Sequence, residues 1–523
     1  MPNQEPVVRE NWGSRIGVIL AVSGSAVGLG NFLRFPVQAA ANGGGAFMIP
    51  YFLAFLLLGI PIAWIEWTIG RYGGHQGHGT APGIYHLLSG RKRWAKYLGV
   101  TALLGPICIF FFYCYVEGWT LAYSFFSLFG TYKDVADPSQ MASFLAGFQG
   151  VESNSWFSSV WTAYIFFVVV FAINFYFIYR GVTKGIEKLN KFALPVMLVI
   201  GLILLIRVIT LRAHADTPDQ NFLNGLGFMW NPDFNALKDA SVWLAASGQM
   251  FFTLSVGMGS IMAYASYLKA RDDVALSSLT ANSTNEFFEV ILAGSIVIPA
   301  TFIFFGAAGT QEIAEGAYDL GFVTMPLIFN QMTGGPLVGF LWFFLLSIAG
   351  ITSSVSVIQP MVTFLEDELK WDRKRSVIAI AGTGFLVTNF IIFTLAKGSM
   401  NEFDFWAGNF FPVLNALLAV IFFAWIFGIK RGFRELDTGA DLKVPRFYGF
   451  IMKYVTPTAL LAILISWFIQ EGKNKILLEG VDPSNHLTIW VSRLILLAVA
   501  TMIIIFIIIA RRRGRFIKPE ELR

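Results

Sequence analysis

SAVGLGNFLRFP, residues 25–36, decides how the rest of the chain is read. It lies in an apolar stretch, 14–37, long enough to cross a membrane. Yet its centre carries Ser25, Gly28 and Gly30, followed by Arg34 and Pro36. Serine and glycine are poor helix formers. Lipid supplies no hydrogen bonds, so unwound backbone survives at membrane depth only inside protein or beside a water-filled cavity. The stretch therefore reads as a span interrupted on purpose.

A second stretch repeats it. Val27-Gly28-Leu29-Gly30 matches Val256-Gly257-Met258-Gly259, and Ser25 and Ser255 stand just upstream of the two. The second copy lies five spans later, so it crosses in the opposite sense. Paired glycine-interrupted spans in two halves point to a transporter site. Unwinding frees carbonyl oxygens for cations, and exposed helix N-termini offer N–H groups to anions.

Composition places this pair in a membrane protein. The chain has 523 residues, 55% hydrophobic and 14% charged, against about a quarter charged in soluble domains. Twelve spans are expected, near 14–37, 46–71, 96–126, 157–179, 190–211, 241–268, 276–306, 337–366, 376–396, 404–429, 446–469 and 487–510. The resulting fold class is an all-α membrane protein: a 5+5 inverted repeat with spans 1 and 6 broken, plus two additional helices. The units are residues 1–13, 14–211 (spans 1–5), an external loop 212–240, 241–430 (spans 6–10), 446–510 (spans 11–12) and a basic tail 511–523.

Arginine and lysine cluster in alternate loops: Arg91 to Arg93, Arg180 to Lys191, Arg373 to Arg375, Lys430 to Arg434, and Arg511 to Arg513. Asp134, Asp137, Asp216, Asp219, Glu312, Glu315 and Asp319 mark the other side. Positive loops stay inside, so both termini are expected in the cytoplasm of a cell-membrane protein. The 1–13 lead is polar and is expected to be retained. Cys108 and Cys114 are too few for a disulfide framework and read as buried small residues. No phosphate-binding GxxxxGK[ST] loop appears, so ATP would need a separate motor. GGHQGHG, 73–79, reads as a plain glycine-rich loop rather than a metal site.

Polar groups inside the spans are functional candidates. Arg34 and Asp404 stand on the acidic side as a gate pair, and Glu289 lies in span seven. Asn31, Thr253, Ser255, Asn285, Thr352 and Ser353 offer oxygens suited to a hard cation. No histidine lies in a span, which argues against a histidine proton relay; Glu66, Glu117 and Glu289 keep proton coupling open.

Four stretches, GSAVGLGNFLRFPVQAAANGGGAFMIPY, GQMFFTLSVGMGS, TSSVSVIQPMVTFLEDE and FDFWAGN, resemble the neurotransmitter:sodium symporter family over nearly the whole chain, most closely its bacterial leucine transporter. The resemblance implies one amino acid and two sodium ions held at the broken spans. The first sodium would use Ala26, Asn31, Thr253, Asn285 and the substrate carboxylate. The second would use Gly24, Val27, Ala349, Thr352 and Ser353. The carboxylate would meet Leu29, Gly30 and Tyr113. The amino group would meet Ala26, Phe252, Thr253 and Ser255. The side-chain pocket would be Val27, Ile109, Tyr113, Phe252, Met258, Ser353, Ser356 and Val357. Gly28 occupies the place of an aspartate in amine-transporting relatives, which favours amino acids. Ser25 stands where the leucine transporter has asparagine, and Ser356 where it has alanine.

The resemblance also assigns gates. Outside, Arg34 would pair with Asp404, with Gln249 nearby. Inside, Arg9 would pair with Asp367, helped by Trp12, Ser266 and Tyr267. Glu289 takes the place of a serine in chloride-dependent relatives and would substitute for the anion. The expected function is sodium-coupled import of a hydrophobic L-amino acid, tolerant of aromatic ones, without chloride. The rivals are a proton-coupled or sodium-independent carrier of the same fold, counter-transport of a proton on Glu289, and a non-transporting amino-acid sensor. The spans show no nucleophile–base or metal-ligand arrangement, so an enzyme is not expected. Spans 11 and 12 could form a homodimer contact; the other partners are the lipid bilayer, sodium and the amino acid.

Overall fold

The computed structural model describes residues 10–213, 215–312, 316–514 and 516. Their regular structure is helical. We label α1 Arg15–Ala26, α2 Gly30–Ala41, α3 Gly45–Gly74, α4 Ala95–Phe129, α5 Trp161–Tyr179 and α6 Val182–Ile209. There follow α7 Ala240–Thr253, α8 Ser260–Ala265, α9 Ala275–Gln311, α10 Gly335–Leu369, α11 Arg373–Phe393, α12 Ser399–Leu436, α13 Tyr448–Gln470 and α14 Pro483–Arg512.

Among the described residues, ten helices are long and apolar enough to cross a membrane, or eleven when α1 and α2 are joined. Those two are bent by 47° across their break. The expected sixth span is divided into α7, 14 residues, and α8, 6 residues. Neither piece is long enough to cross alone.

Helix α4 is apolar around its whole circumference and almost entirely buried, as such a helix must be. Its packing on α10 is the most extensive in the molecule. Gly350 of α10 makes that approach possible, because a Cβ there would lie 2.7 Å from Glu117 Cγ. Helices α5, α6, α11, α13 and α14 leave most of their apolar surface uncovered, as lipid-facing helices do.

One boundary differs from expectation. Helix α6 starts at Val182, not near 190. Its first turn, VTKGIE, is polar, which hides it from a hydropathy reading. That turn is tertiary in purpose: Glu187 accepts from Gly13 N at 2.8 Å and Ser14 Oγ at 3.1 Å, and pairs with Lys191 at 2.6 Å. It thereby holds the chain that leads into α1.

Candidate functional site

The first break begins with backbone accounting. A continuous helix would send Gly28 N to the Gly24 carbonyl and Leu29 N to that of Ser25. Instead Gly28 N donates to Asn31 Oδ1 at 2.8 Å, and Leu29 N donates to the Tyr113 hydroxyl at 3.1 Å. The Ser25 carbonyl accepts from Ser255 Oγ at 3.1 Å and Ser353 Oγ at 3.2 Å. Three helices thus meet at one unwound turn.

The second break is made by left-handed backbone. Ser255, Gly257 and Gly259 have φ of 53°, 76° and 70°. Glycine adopts this region without penalty. At Gly257 there is also no room, since a Cβ would lie 2.1 Å from the Pro412 carbonyl oxygen. Gly257 N donates to Glu66 Oε1 at 3.0 Å, and its carbonyl accepts from Asn415 Nδ2 at 2.9 Å.

Between the breaks lies a cavity of about 340 Å³. Of the expected substrate residues, Ala26, Leu29, Gly30, Ile109, Tyr113, Phe252, Ser255, Met258, Ser353 and Val357 line it. Val27, Thr253 and Ser356 do not. Val27 is fully buried, and the Thr253 hydroxyl is engaged by two asparagines. The Ser356 hydroxyl meets that of Ser25 behind the wall.

The cation candidates fall into two groups. Asn31 Nδ2 reaches Thr253 Oγ1 at 3.2 Å and Asn285 Oδ1 at 2.9 Å, while Asn285 Nδ2 reaches the same threonine at 2.9 Å. Helices α2, α7 and α9 bring these three together, while Ala26 lines the cavity. In the second group, Thr352 Oγ1 donates to the carbonyls of Ile348 at 3.1 Å and Ala349 at 3.0 Å, and Ser353 lies one residue on. Both groups gather oxygen atoms, the ligand type that hard cations take.

Glu289 is fully buried beside the first group. Its Oε2 accepts from Asn31 at 2.9 Å, and its Oε1 from Gln249 Nε2 at 2.9 Å and Tyr51 OH at 3.0 Å. Gln249, expected near the outer pair, thus gives its amide N–H to Glu289. The Tyr51 hydroxyl also lies 2.8 Å from Glu286 Oε2. The sequence reading missed Tyr51 and Glu286, since nothing in their spacing links span two to span seven.

The two ends of the site differ. Towards the acidic loops the cavity is bordered by Arg34, Asp404, Tyr318 and Asn409. The expected Arg34–Asp404 ion pair is not made. Arg34 donates to Asn409 Oδ1 at 3.1 Å and lies 4.4 Å over the Phe252 ring. Asn409 and Tyr318 were missed, although Asn409 closes the FDFWAGN motif.

Towards the basic loops the chain is tightly packed. Trp12 Nε1 donates to the Tyr264 carbonyl at 2.9 Å, and the two rings meet edge to face at 5.4 Å. The Tyr267 hydroxyl meets Thr363 Oγ1 at 3.0 Å, and Ser266 Oγ donates to the Ala263 carbonyl at 2.5 Å. Asp367 accepts from Gly79 N at 2.8 Å. Arg9 lies outside the described residues. In the glycine-rich loop, His78 Nδ1 meets Glu368 Oε1 at 2.5 Å. No group of three or more metal-ligating side chains occurs among the described residues.

Comparison with known proteins places this arrangement. The sequence model described as "Sodium:neurotransmitter symporter family" matches residues 9–134 and 149–513. An uncharacterized sodium-dependent transporter of Methanocaldococcus jannaschii is 30% identical over 473 residues, covering 87% of this chain and 90% of that protein. The sodium- and chloride-dependent glycine transporter 1 of Xenopus laevis is 26% identical over 517 residues, covering 89% and 79%. The crystal structure of MhsT in complex with L-phenylalanine matches with a TM-score of 0.74 at 30% identity, over 88% of this chain and 99% of that one. The chain belongs to the sodium:neurotransmitter symporter family.

Proposed function

We propose that this protein is a two-sodium symporter that imports a hydrophobic L-amino acid, aromatic ones included, by alternating access and without chloride. The observation that carries the reading is the cavity between the two breaks. At one place it combines freed backbone, hydroxyls, an apolar wall of Ile109, Phe252, Met258 and Val357, and a guanidinium at its mouth. MhsT, the structural relative, was crystallised with L-phenylalanine. The topology of the proposal is twelve spans, with α7 and α8 counted as one, arranged five plus five with two appended and both termini in the cytoplasm.

In this reading the amino-acid carboxylate meets Leu29, Gly30 and Tyr113 and completes the first sodium's ligands. Shared coordination couples the two bindings, each strengthening the other. Uptake of a radiolabelled amino-acid panel into proteoliposomes, with sodium or potassium outside, tests it. Sodium-driven accumulation of L-phenylalanine or L-leucine is expected; uptake indifferent to the swap, or confined to glycine and alanine, removes the proposal.

The position of Glu289, on Asn31 of the first sodium group, supports the chloride-independent reading: a fixed carboxylate supplies the negative charge there. Replacing chloride with gluconate should leave uptake unchanged, and Glu289→Ser should make it chloride-dependent. A second reading, proton counter-transport, is favoured by Tyr51. Its single hydroxyl proton lies between two carboxylates, so a further proton held there would satisfy all three groups. Alkalinisation or acidification of the vesicle lumen during uptake, read with a trapped dye, separates the two readings.

A further inference from the structure

Ser25 and Ser356 have no place in the ligand lists above except as a departure and a pocket residue, yet the structure joins them. Ser25 is in the last turn of α1 and Ser356 on α10, both almost wholly buried. Their hydroxyls meet directly. On its other side, the Ser25 carbonyl accepts from Ser255 and Ser353, and both of those residues line the cavity. We propose that the Ser25–Ser356 hydroxyl pair is a positioning unit: it fixes the turn of Ser25, and through the Ser25 carbonyl it sets the direction of the two hydroxyls that face the ligands. This rests on the function proposed above.

The argument is one of proton counting. A serine hydroxyl has one proton and two acceptor lone pairs. Ser255 and Ser353 both spend their proton on the Ser25 carbonyl. Their oxygens are therefore left to the cavity side as acceptors only, the role required to bind an ammonium group or a sodium ion. That carbonyl is available only because the break has removed its helical partner, Leu29 N, to Tyr113. Without Ser356, the Ser25 hydroxyl would turn to its own i−3 or i−4 carbonyl, the usual alternative for serine in a helix. The last turn of α1 would then keep only the Ser353 bond as its polar link to α10, and the two ligand-facing hydroxyls would lose their common acceptor geometry.

The test is a double-mutant cycle on Ser25→Ala and Ser356→Ala, with Ser356→Thr as the hydroxyl-retaining control. Two quantities are read on the purified full chain. One is the sodium concentration giving half-maximal thermal stabilisation, against potassium. The other is the sodium-dependent affinity for radiolabelled L-phenylalanine. Each alanine variant is expected to weaken both by about three- to tenfold, the range of a single hydrogen bond. The double variant should be no worse than either single one, because the pair acts as a unit. Ser356→Thr should restore most of the affinity. Melting in potassium should be nearly the same for all variants, which separates positioning from loss of fold. Additive effects, unchanged sodium and amino-acid affinity, or equal loss of melting temperature in potassium would each overturn the proposal. A wild-type chain that responds to neither sodium nor L-phenylalanine would remove the symporter reading itself, and this inference with it.

Discussion

Gly24 shows how narrowly the break constrains single residues. A Cβ there would lie 1.8 Å from Asn190 Oδ1 and 2.8 Å from Leu194 Cδ1. Gly24→Ala should cost about 1–3 kcal/mol, since the Asn190 and Leu194 side chains must both turn aside in a packed interior. Removing the obstructing amide in Gly24→Ala/Asn190→Ala should recover part of the loss in melting temperature and uptake. No recovery would place the strain elsewhere. At Gly28 the constraint is milder and touches the ligand. Its Cβ would lie 3.0 Å from the Tyr113 hydroxyl and 3.2 Å from Ser353 Oγ. Gly28→Ala should leave the fold intact and raise the half-saturating amino-acid concentration about tenfold, the effect of one displaced hydrogen bond. Ser25 and Ser356 belong to the same scale. They were legible only as two separate departures from the family pattern, because sequence does not show that residues 25 and 356 touch.

At the scale of elements, the entry to α1 is held by α6 and α8. Glu187 grips Gly13, Ser14 and Lys191, and Gly17 has no side chain because its Cβ would lie 2.1 Å from that carboxylate. Glu187→Ala should therefore loosen the basic side of the site without touching the cavity. Trp12→Ala should do the same by removing its bond and ring contact to Tyr264. In proteoliposomes preloaded with labelled amino acid, both variants should speed efflux while wild-type-like sodium dependence of binding remains. Unchanged efflux would show that α1 is held by other contacts. The hydropathy pattern placed every long helix, but it missed the start of α6. A polar first turn is invisible to hydropathy when its partners are supplied by another part of the chain.

For the whole molecule, sodium and amino acid should stabilise the fold together by more than the sum of their separate effects. With both ligands at about a hundred times their dissociation constants, each alone contributes about 2.7 kcal/mol, and mutual coupling adds to that. A thermal-shift matrix of sodium against L-phenylalanine measures it; strict additivity would contradict a shared site. Proton uptake gives a second global expectation. Burial lowers His86 from 6.5 to about 4, the bond from its ring to the Lys92 carbonyl opposes this, and Lys96, His78 and Arg91 lower it further. The folded imidazole stays neutral while the unfolded one gains a proton below about 6.5. Stability is thus full above that pH and falls as pH drops towards about 4. His86→Gln should flatten the melting temperature across this interval.

Sequence alone determined the membrane class, the long helices and the two breaks, because these follow from local chemistry: apolar length, and glycine and serine where a helix former would be expected. The family resemblance, carried by long motifs, also named ten of the residues that line the cavity. Only the tertiary structure decided which polar groups meet. It joined Gln249 to Glu289, put Arg34 on Asn409 rather than Asp404, set Tyr51 between Glu286 and Glu289, and turned the Ser356 hydroxyl to Ser25. Each of these is a contact between side chains far apart in the chain. Hydrogen bonding in a water-poor interior is settled by which donor reaches which acceptor once the helices have packed, and no spacing along the chain carries that information.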